Sequence, residues 1–303
     1  MTESDGNVLC ASKIGWAFGC SRKGTSHIRT NLPCQDSYTI CTHSFSEESC
    51  LVVAVADGHG DKKHNLSQYG SYIATKIAVA ELISFFVNFA ANANDSLIGK
   101  GFENDFPRRI VRLWTTAIQQ DAKHRDPTRY QKYHKKDALE VLKPYGTTLL
   151  TVLITSKTVC IGQIGDGDIL LVRPDNIIET ISQKSTQHIG MTVDSLCSYD
   201  AQKLWNTKVL ERGAGGYLFI STDGLADSFT SEEQFHIFVR DLIKYMEKEG
   251  VEKVAQDYMP AWLDDCSEKG SRDDITLSVI CLKSKEVTLN NQQQLISNNT
   301  AIR

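Results

Sequence analysis

A chain of 303 residues with 41% hydrophobic and 23% charged residues carries enough apolar material for one large domain or two small ones, which excludes a disordered or fibrous protein. A formal net charge of −4 argues against a nucleic-acid-binding surface, which needs a basic excess. The nine cysteines show no Cys-x-x-Cys spacing and point to reduced thiols in a cytoplasmic protein rather than a disulfide frame.

Residues 1–10 are polar, so no signal peptide is expected. Residues 12–20 alternate as a first strand, 21–35 read as a polar loop with Gly24 and Pro33, and 36–41 resume a strand. The stretch 19–25 approaches a phosphate-binding P-loop, but it lacks a lysine after Gly24 and a strand-to-helix frame, so that reading is rejected. Residues 52–60, VVAVADGHG, are an apolar run of the kind that forms a buried strand, ending in Asp57, Gly58 and His59. A loop at 61–65 leads into a long helix over 66–92. Its apolar part contains Lys76 and Glu81 and reads as a buried helix, not a membrane span. A second helix over 105–123 carries Phe106, Ile110, Leu113, Trp114, Ala117 and Ile118 at helical spacing.

Residues 123–143 are highly charged, with Lys132, His134, Lys135 and Lys136, and read as a solvated linker or helix end. The sharper alternative is a surface that receives an acidic phosphoprotein. From Gly146 the period becomes that of strands: 147–155, 158–164, 169–173 and 177–182, joined by short turns that imply antiparallel pairing. Residues 183–216 have weak periodicity. A strand closes at Ser221, a capping-box pattern at Thr230-Ser231-Glu232-Glu233 opens a helix to Glu249, and 251–267 form another helix, kinked or broken at Pro260. Residues 275–282 form the last strand, and the polar tail 284–303 reads as disordered. Grouped strands and paired helices suggest two antiparallel sheets packed face to face with helices outside.

Four strand ends carry acids: Asp57, Asp166 with Asp168, Asp223, and Asp273 with Asp274. One strand-end aspartate is commonly a turn residue or a cap. Four that converge would repel, and cations are expected among them. Hard divalent ions with oxygen ligands, Mg²⁺ or Mn²⁺, suit an all-carboxylate set. A calcium module is disfavoured, since no Asp-x-Asp-x-Asp-Gly loop with a closing Glu exists.

Asp57-Gly58-His59-Gly60, Gly146-Thr147-Thr148, Ile164-Gly165-Asp166, Ser221-Thr222-Asp223-Gly224 and Gly270-Ser271-Arg272-Asp273-Asp274 occur in an order that resembles the metal-dependent serine/threonine protein phosphatases of type 2C, the PPM family, over roughly residues 12–283. The resemblance implies an α+β fold, a four-layer α/β/β/α sandwich of two antiparallel sheets flanked by helices. The metal site would lie at one edge between the sheets. It implies one domain over 12–283, an extension over 1–11 and a tail over 284–303. The implied reaction is hydrolysis of phosphoserine and phosphothreonine in proteins by a hydroxide between two ions of Mg²⁺ or Mn²⁺, without a phosphoenzyme. By resemblance Asp57 bridges the ions, the Gly58 carbonyl joins one, Asp223 and Asp273 hold the other, and Asp36 acts through water. Asp166 would hold a third ion with Asp223, and His59 would be the general acid.

The chain departs from the family in four places. Asn31 stands where an arginine is expected to bind phosphate, which leaves Arg29 and His27 as candidates. Gln35 precedes Asp36 where other members have Glu; with Ser26-His27 and Pro33-Cys34 this resembles a bacterial branch with a longer loop. Gly167-Asp168 replaces the usual Ser-Arg, and Asp274 replaces an Asn. Residues 183–216 occupy the family's variable flap. The implied partners are a phosphoprotein and a serine/threonine kinase, with no nucleic acid or membrane, for a cytoplasmic monomer. The alternatives are a non-catalytic phosphoprotein scaffold, disfavoured because Asp57, Asp223 and Asp273 are all present, and a phosphatase of small phosphoesters.

Overall fold

The computed structural model describes residues 9–92, 95–183, 193–213 and 215–283. In chain order the first elements are β1 (Leu9–Ala11), β2 (Gly15–Arg22), α1 (Thr25–Thr30), β3 (Ser37–Phe45), β4 (Glu48–Ala56), α2 (Ser67–Asn92), α3 (Asp95–Arg125), α4 (Pro127–Tyr133) and α5 (Ala138–Leu142). Then come β5 (Leu149–Ile154), β6 (Thr158–Ile164), β7 (Asp168–Val172), β8 (Ile178–Thr180), β9 (Asn206–Glu211) and β10 (Gly216–Ser221). The chain closes with α6 (Asp223–Ala226), α7 (Glu232–Glu249), α8 (Val251–Lys253), α9 (Met259–Lys269) and β11 (Ile275–Leu282).

The strands form two sheets, ordered β1-β2-β11-β10-β7-β8 and β3-β4-β5-β6-β9, with antiparallel neighbours throughout. Three apolar layers bind them. Leu51, Val53, Val55, Leu150, Val152, Ile169, Leu218, Ile220 and Ile280 meet between the sheets. The alternate residues Val52, Ala54, Leu149 and Leu153 face α2 and α3, where Leu82, Phe106 and Trp114 are buried. Phe18, Phe219, Leu277 and Val279 face α7 and α9. So β4 is apolar on both faces because both faces are covered. Each fully buried side chain of this kind contributes about 1.5–3 kcal/mol. The four layers expected for the fold are present.

Over Ser67–Asn88, α2 is long and apolar enough to cross a membrane by length and composition. Here it lies on β3 and β4 and buries Ala74, Ala78, Leu82 and Phe86. The helix after Ser231 opens near the predicted place but one residue out of the predicted register: Ser231, not Thr230, is the cap, its Oγ accepting from Gln234 N (3.3 Å), and Gln234 Oε1, not Glu233, accepts from Thr230 N (3.3 Å). A π-turn over Val254–Tyr258 precedes Pro260, which sits in the first turn of α9 and lacks the amide that a continuous helix would need there.

Several expectations shift. The supposed loop 21–35 contains α1, which has no side-chain cap; contacts remote in sequence hold it, with Thr25 N donating to Ser267 Oγ (3.0 Å) and Ser26 N to Arg272 O (3.0 Å). The charged 123–143 stretch is not a linker: Asp126 caps α4 ahead of Pro127, and Asp137 caps α5. The second helix starts ten residues earlier than its apolar spacing shows and runs through Pro107. Part of the 183–216 stretch is the edge strand β9, whose NTKVLE sequence alternates too weakly to announce itself. Leu9–Ala11, within the stretch read as an extension, pairs with β2. The tail 284–303 lies outside the described residues.

Candidate active site

The motif residues meet where β4 and β10 end and β11 begins. Asp57 follows β4, and its backbone is clamped on both sides. Its N–H donates to Thr148 Oγ1 (3.0 Å), and its carbonyl accepts from Thr148 N (2.8 Å) and Thr147 Oγ1 (2.8 Å). Gly58 N donates to Gln35 O (3.2 Å), which ties the strand end to the segment carrying Asp36. His59 N donates to Gly146 O (3.2 Å). A Cβ on Gly146 would stand 2.5 Å from the His64 ring and 2.7 Å from the His59 ring, so only glycine fits there. A Cβ on Gly224 would stand 2.3 Å from Asp274 O, so this glycine lets Asp223 approach the Asp273-Asp274 pair.

The carboxylates converge electrostatically. Burial pushes the Asp57 carboxyl well above the usual range, and Asp36, Asp223 and Asp273 push it the same way. Burial likewise raises Asp36, with Asp274 the next cause. Asp273 is raised by partial burial and then by Asp223 and Asp274. Asp36 Oδ2 accepts from Thr222 Oγ1 (2.8 Å), while its Oδ1 is buried with no hydrogen-bond partner among the described residues. Among the described residues no three Asp, Glu, His or Cys side chains close on one point. Mutually repelling carboxylates with an orphaned oxygen, short of a closed shell, fit hard cations that complete their coordination with water and backbone oxygen.

Asp166 lies in the turn between β6 and β7. Gln163 staples that turn, donating from Nε2 to Gly165 O (3.0 Å) and Gly167 O (3.2 Å). The pairing of Asp168 with Ser221 sets the turn beside Thr222 and Asp223.

A profile described as protein phosphatase 2C matches residues 23–265. The chain belongs to the protein phosphatase 2C family. With the family comes the enzyme class, a protein-serine/threonine phosphatase acting on phosphoproteins. Solved structures share the fold at low identity. A serine-threonine phosphatase 2C from Toxoplasma gondii has a TM-score of 0.59 at 12% identity, covering 91% of this chain and 98% of that one. A bacterial serine phosphatase has a TM-score of 0.56 at 17% identity, covering 88% and 98%. The Mycobacterium tuberculosis phosphatase PstP has a TM-score of 0.54 at 17% identity, covering 89% and 99%. No curated protein sequence matches the chain.

Within this phosphatase 2C chain, several contacts around the site, and the place of His64 in it, escaped the sequence reading. Asp274 accepts from Gly24 N (2.6 Å) and Gln35 N (2.6 Å) and lies 2.9 Å from His27 Nδ1. It thereby fixes both ends of the loop that leads to Asp36, and its bond to His27 raises the imidazole pKa. His27 itself is buried, with Nε2 3.7 Å from where a Cβ on Gly60 would stand. Arg29 is exposed on α1. His64 packs edge-on against His59 at 4.8 Å between centroids, and its Nδ1 lies 2.9 Å from Asp61 Oδ1. Burial, then His64, lowers the His59 pKa to about 4. The Asp61-Lys62-Lys63-His64 run carried one legible signal: an aspartate that accepts from the amides two and three residues on, opening a short helical turn. All nine cysteines are unpaired.

Proposed function

We propose that this phosphatase hydrolyses phosphoserine and phosphothreonine in proteins with two divalent ions, Mg²⁺ or Mn²⁺, at the aspartate cluster. The observation that carries the reading is the convergence of Asp36, Asp57, Asp223 and Asp273, with Asp36 Oδ1 buried and unpartnered. Asp57, the Gly58 carbonyl and Asp36 would hold one ion, Asp57, Asp223 and Asp273 the other, and Asp166 with Asp223 a third. A PstP structure with a TM-score of 0.52 at 16% identity is described as holding two manganese ions, which supports the count. Bound there, such ions supply an activated water and polarise the phosphoryl oxygens, so no phosphoenzyme is needed.

The protein's own groups do the rest. Thr147 and Thr148 hold the Asp57 backbone against the β4 end, so its carboxylate is fixed before substrate arrives. His59 is neutral at neutral pH and presents an N–H. An arriving phosphate dianion favours its charged form, which readies it to protonate the leaving serine or threonine oxygen. Arg29, exposed and able to fork onto two oxygens, is the phosphate ligand of choice. His27 has only Nε2 free for that role, because Nδ1 faces Asp274. We read the enzyme as a cytoplasmic monomer that opposes a serine/threonine kinase.

The test is phosphate release from a phosphothreonine peptide with Mn²⁺, with Mg²⁺ and with EDTA, beside Asp57→Asn and Asp223→Asn. Metal-dependent release lost in both variants supports the reading. Folded, Mn²⁺-binding protein that releases nothing from the peptide sinks it in favour of a scaffold or a small-phosphoester substrate.

A further inference from the structure

The outer helical layer over β2, β10 and β11 carries a groove that the hydrolytic reaction does not use. Its cavity of about 290 Å³ is lined by Phe238, Leu242 and Tyr245 of α7 and Trp262 and Cys266 of α9, with Asp241 and Asp265 also on the wall. Tyr245 and Trp262 stand at 63° with centroids 5.1 Å apart and so make an aromatic corner. Tyr245 is 45% exposed. Among the described residues each carboxylate is engaged by an exposed lysine of its own helix, Asp241 by Lys244 (2.9 Å) and Asp265 by Lys269 (2.7 Å). Such solvent-exposed pairs hold their partners weakly and are readily exchanged.

We propose that this groove docks an arginine-bearing basic segment of a partner protein, with the guanidinium stacked in the Tyr245–Trp262 corner and forked onto Asp265 or Asp241. The layer has the matching charge: residues 232–269 contain ten Asp and Glu against five Lys and Arg. Both halves of the interaction already occur beside the groove. Lys253 lies over Tyr258, 5.4 Å from the ring centroid, and Tyr258 stacks on Trp262 at 5.6 Å. One residue before Asp265, Asp264 takes the Arg22 guanidinium through two 2.7 Å bonds. Arginine suits the site better than lysine, because its plane stacks on rings and its fork matches a carboxylate. The proposal does not depend on the hydrolytic reading.

The test is calorimetric titration of the full chain with a capped peptide of alternating arginine and glycine, and with the same peptide carrying glutamate for arginine. Far-UV circular dichroism and the urea unfolding midpoint are followed in parallel to show that each variant is folded. The expected result is binding of the arginine peptide only, weakened at least about tenfold, or 1.4 kcal/mol, by the paired change Asp241→Asn with Asp265→Asn and by Trp262→Leu. The paired change Glu252→Gln with Glu268→Gln removes equal charge outside the groove and should leave binding intact. Equal weakening by both paired changes would assign the binding to general charge and overturn the groove, as would no binding of the arginine peptide at low salt.

Discussion

At one end of the sandwich, Asp36, Asp57, Asp223 and Asp273 crowd together where β4 and β10 finish. At the other, where β9 and β11 finish and β2 begins, Arg212 is 1% exposed. Among the described residues both ends hold charge that is short of counter-charge, and the two are handled differently. Arg212 Nη2 donates to Ile14 O (2.9 Å) and Lys283 O (2.6 Å), so a residue following the edge strand of one sheet ties down the strand ends of the other. Its Nε and Nη1 are buried without hydrogen-bond partners among the described residues, and burial lowers its pKa. This end is closed, and backbone carbonyls do the stabilising. The aspartate end remains half-open to solvent, so its charge can be answered by a ligand that comes and goes. A buried charge answered by backbone reads as architecture; one left for an ion reads as chemistry.

The largest effect that tests this contrast is at the aspartate end. Asp57→Asn or Asp223→Asn should lower kcat by about 10²–10³-fold or more, read as phosphate release. The same Asp57 change should raise the unfolding temperature of the EDTA-treated protein, since it removes repulsion among like charges; about 1 kcal/mol corresponds to roughly 2–4 °C in a chain of this size class. A variant that loses activity and stability together would mean that Asp57 is structural, and the contrast between the ends would fail.

Arg212→Ala should do the opposite. It leaves a cavity and strips two carbonyls of a donor, which should cost about 2–4 kcal/mol in urea unfolding and leave kcat unchanged in the folded fraction. A fall in kcat at full folding would join the two ends functionally.

The aspartate end was far more legible in the sequence than the arginine end, and the reason is local. Asp57 and Asp223 follow strong apolar runs and are marked by adjacent glycines, so their roles survive without tertiary information. The layered fold was legible for the same reason: β4 is apolar throughout because it is covered on both faces. Arg212 follows a strand of half-buried residues in a stretch that reads as irregular, and its partners Ile14 and Lys283 are remote in sequence. Asp274 was legible as a departure from the family, but its grip on Gly24, His27 and Gln35 was not, because those contacts span 239 to 250 residues. α1 was missed for the same cause: a six-residue helix with no side-chain cap is specified by what it touches.

The pH response sharpens the comparison further. Asp36 and Asp57 have folded pKa values raised above the unfolded value of about 4. The metal-free native state therefore binds more protons than the unfolded chain above that pH, and stability falls as pH rises through the window. His59, lowered to about 4 from 6.5, acts in the other direction: the unfolded chain binds its proton between pH 4 and 6.5, so this residue favours the native state as pH rises there. Urea unfolding of the EDTA-treated protein should therefore show stability declining with pH in the wild type and a flatter profile in Asp36→Asn. His59→Gln should make the wild-type decline steeper between pH 4 and 6.5. A wild-type profile that rises with pH in EDTA would show that the carboxylates are not mutually strained.

The smallest change is the most discriminating about how charge at the aspartate end is shared. Asp274 uses both oxygens on the loop that carries Asp36, and it is also the first charged neighbour that raises Asp36. Asp274→Asn keeps one carbonyl oxygen and nearly the same shape, so the loop should lose about one hydrogen bond, roughly 1 kcal/mol. The lost negative charge also makes the site less attractive to a divalent ion, so Mn²⁺ affinity measured by calorimetry should fall modestly while the fold persists. Unchanged affinity with reduced stability would make Asp274 a staple of the 24–35 loop and nothing more. Reduced affinity with unchanged stability would place its charge within the working field of the metal site, one step behind Asp36.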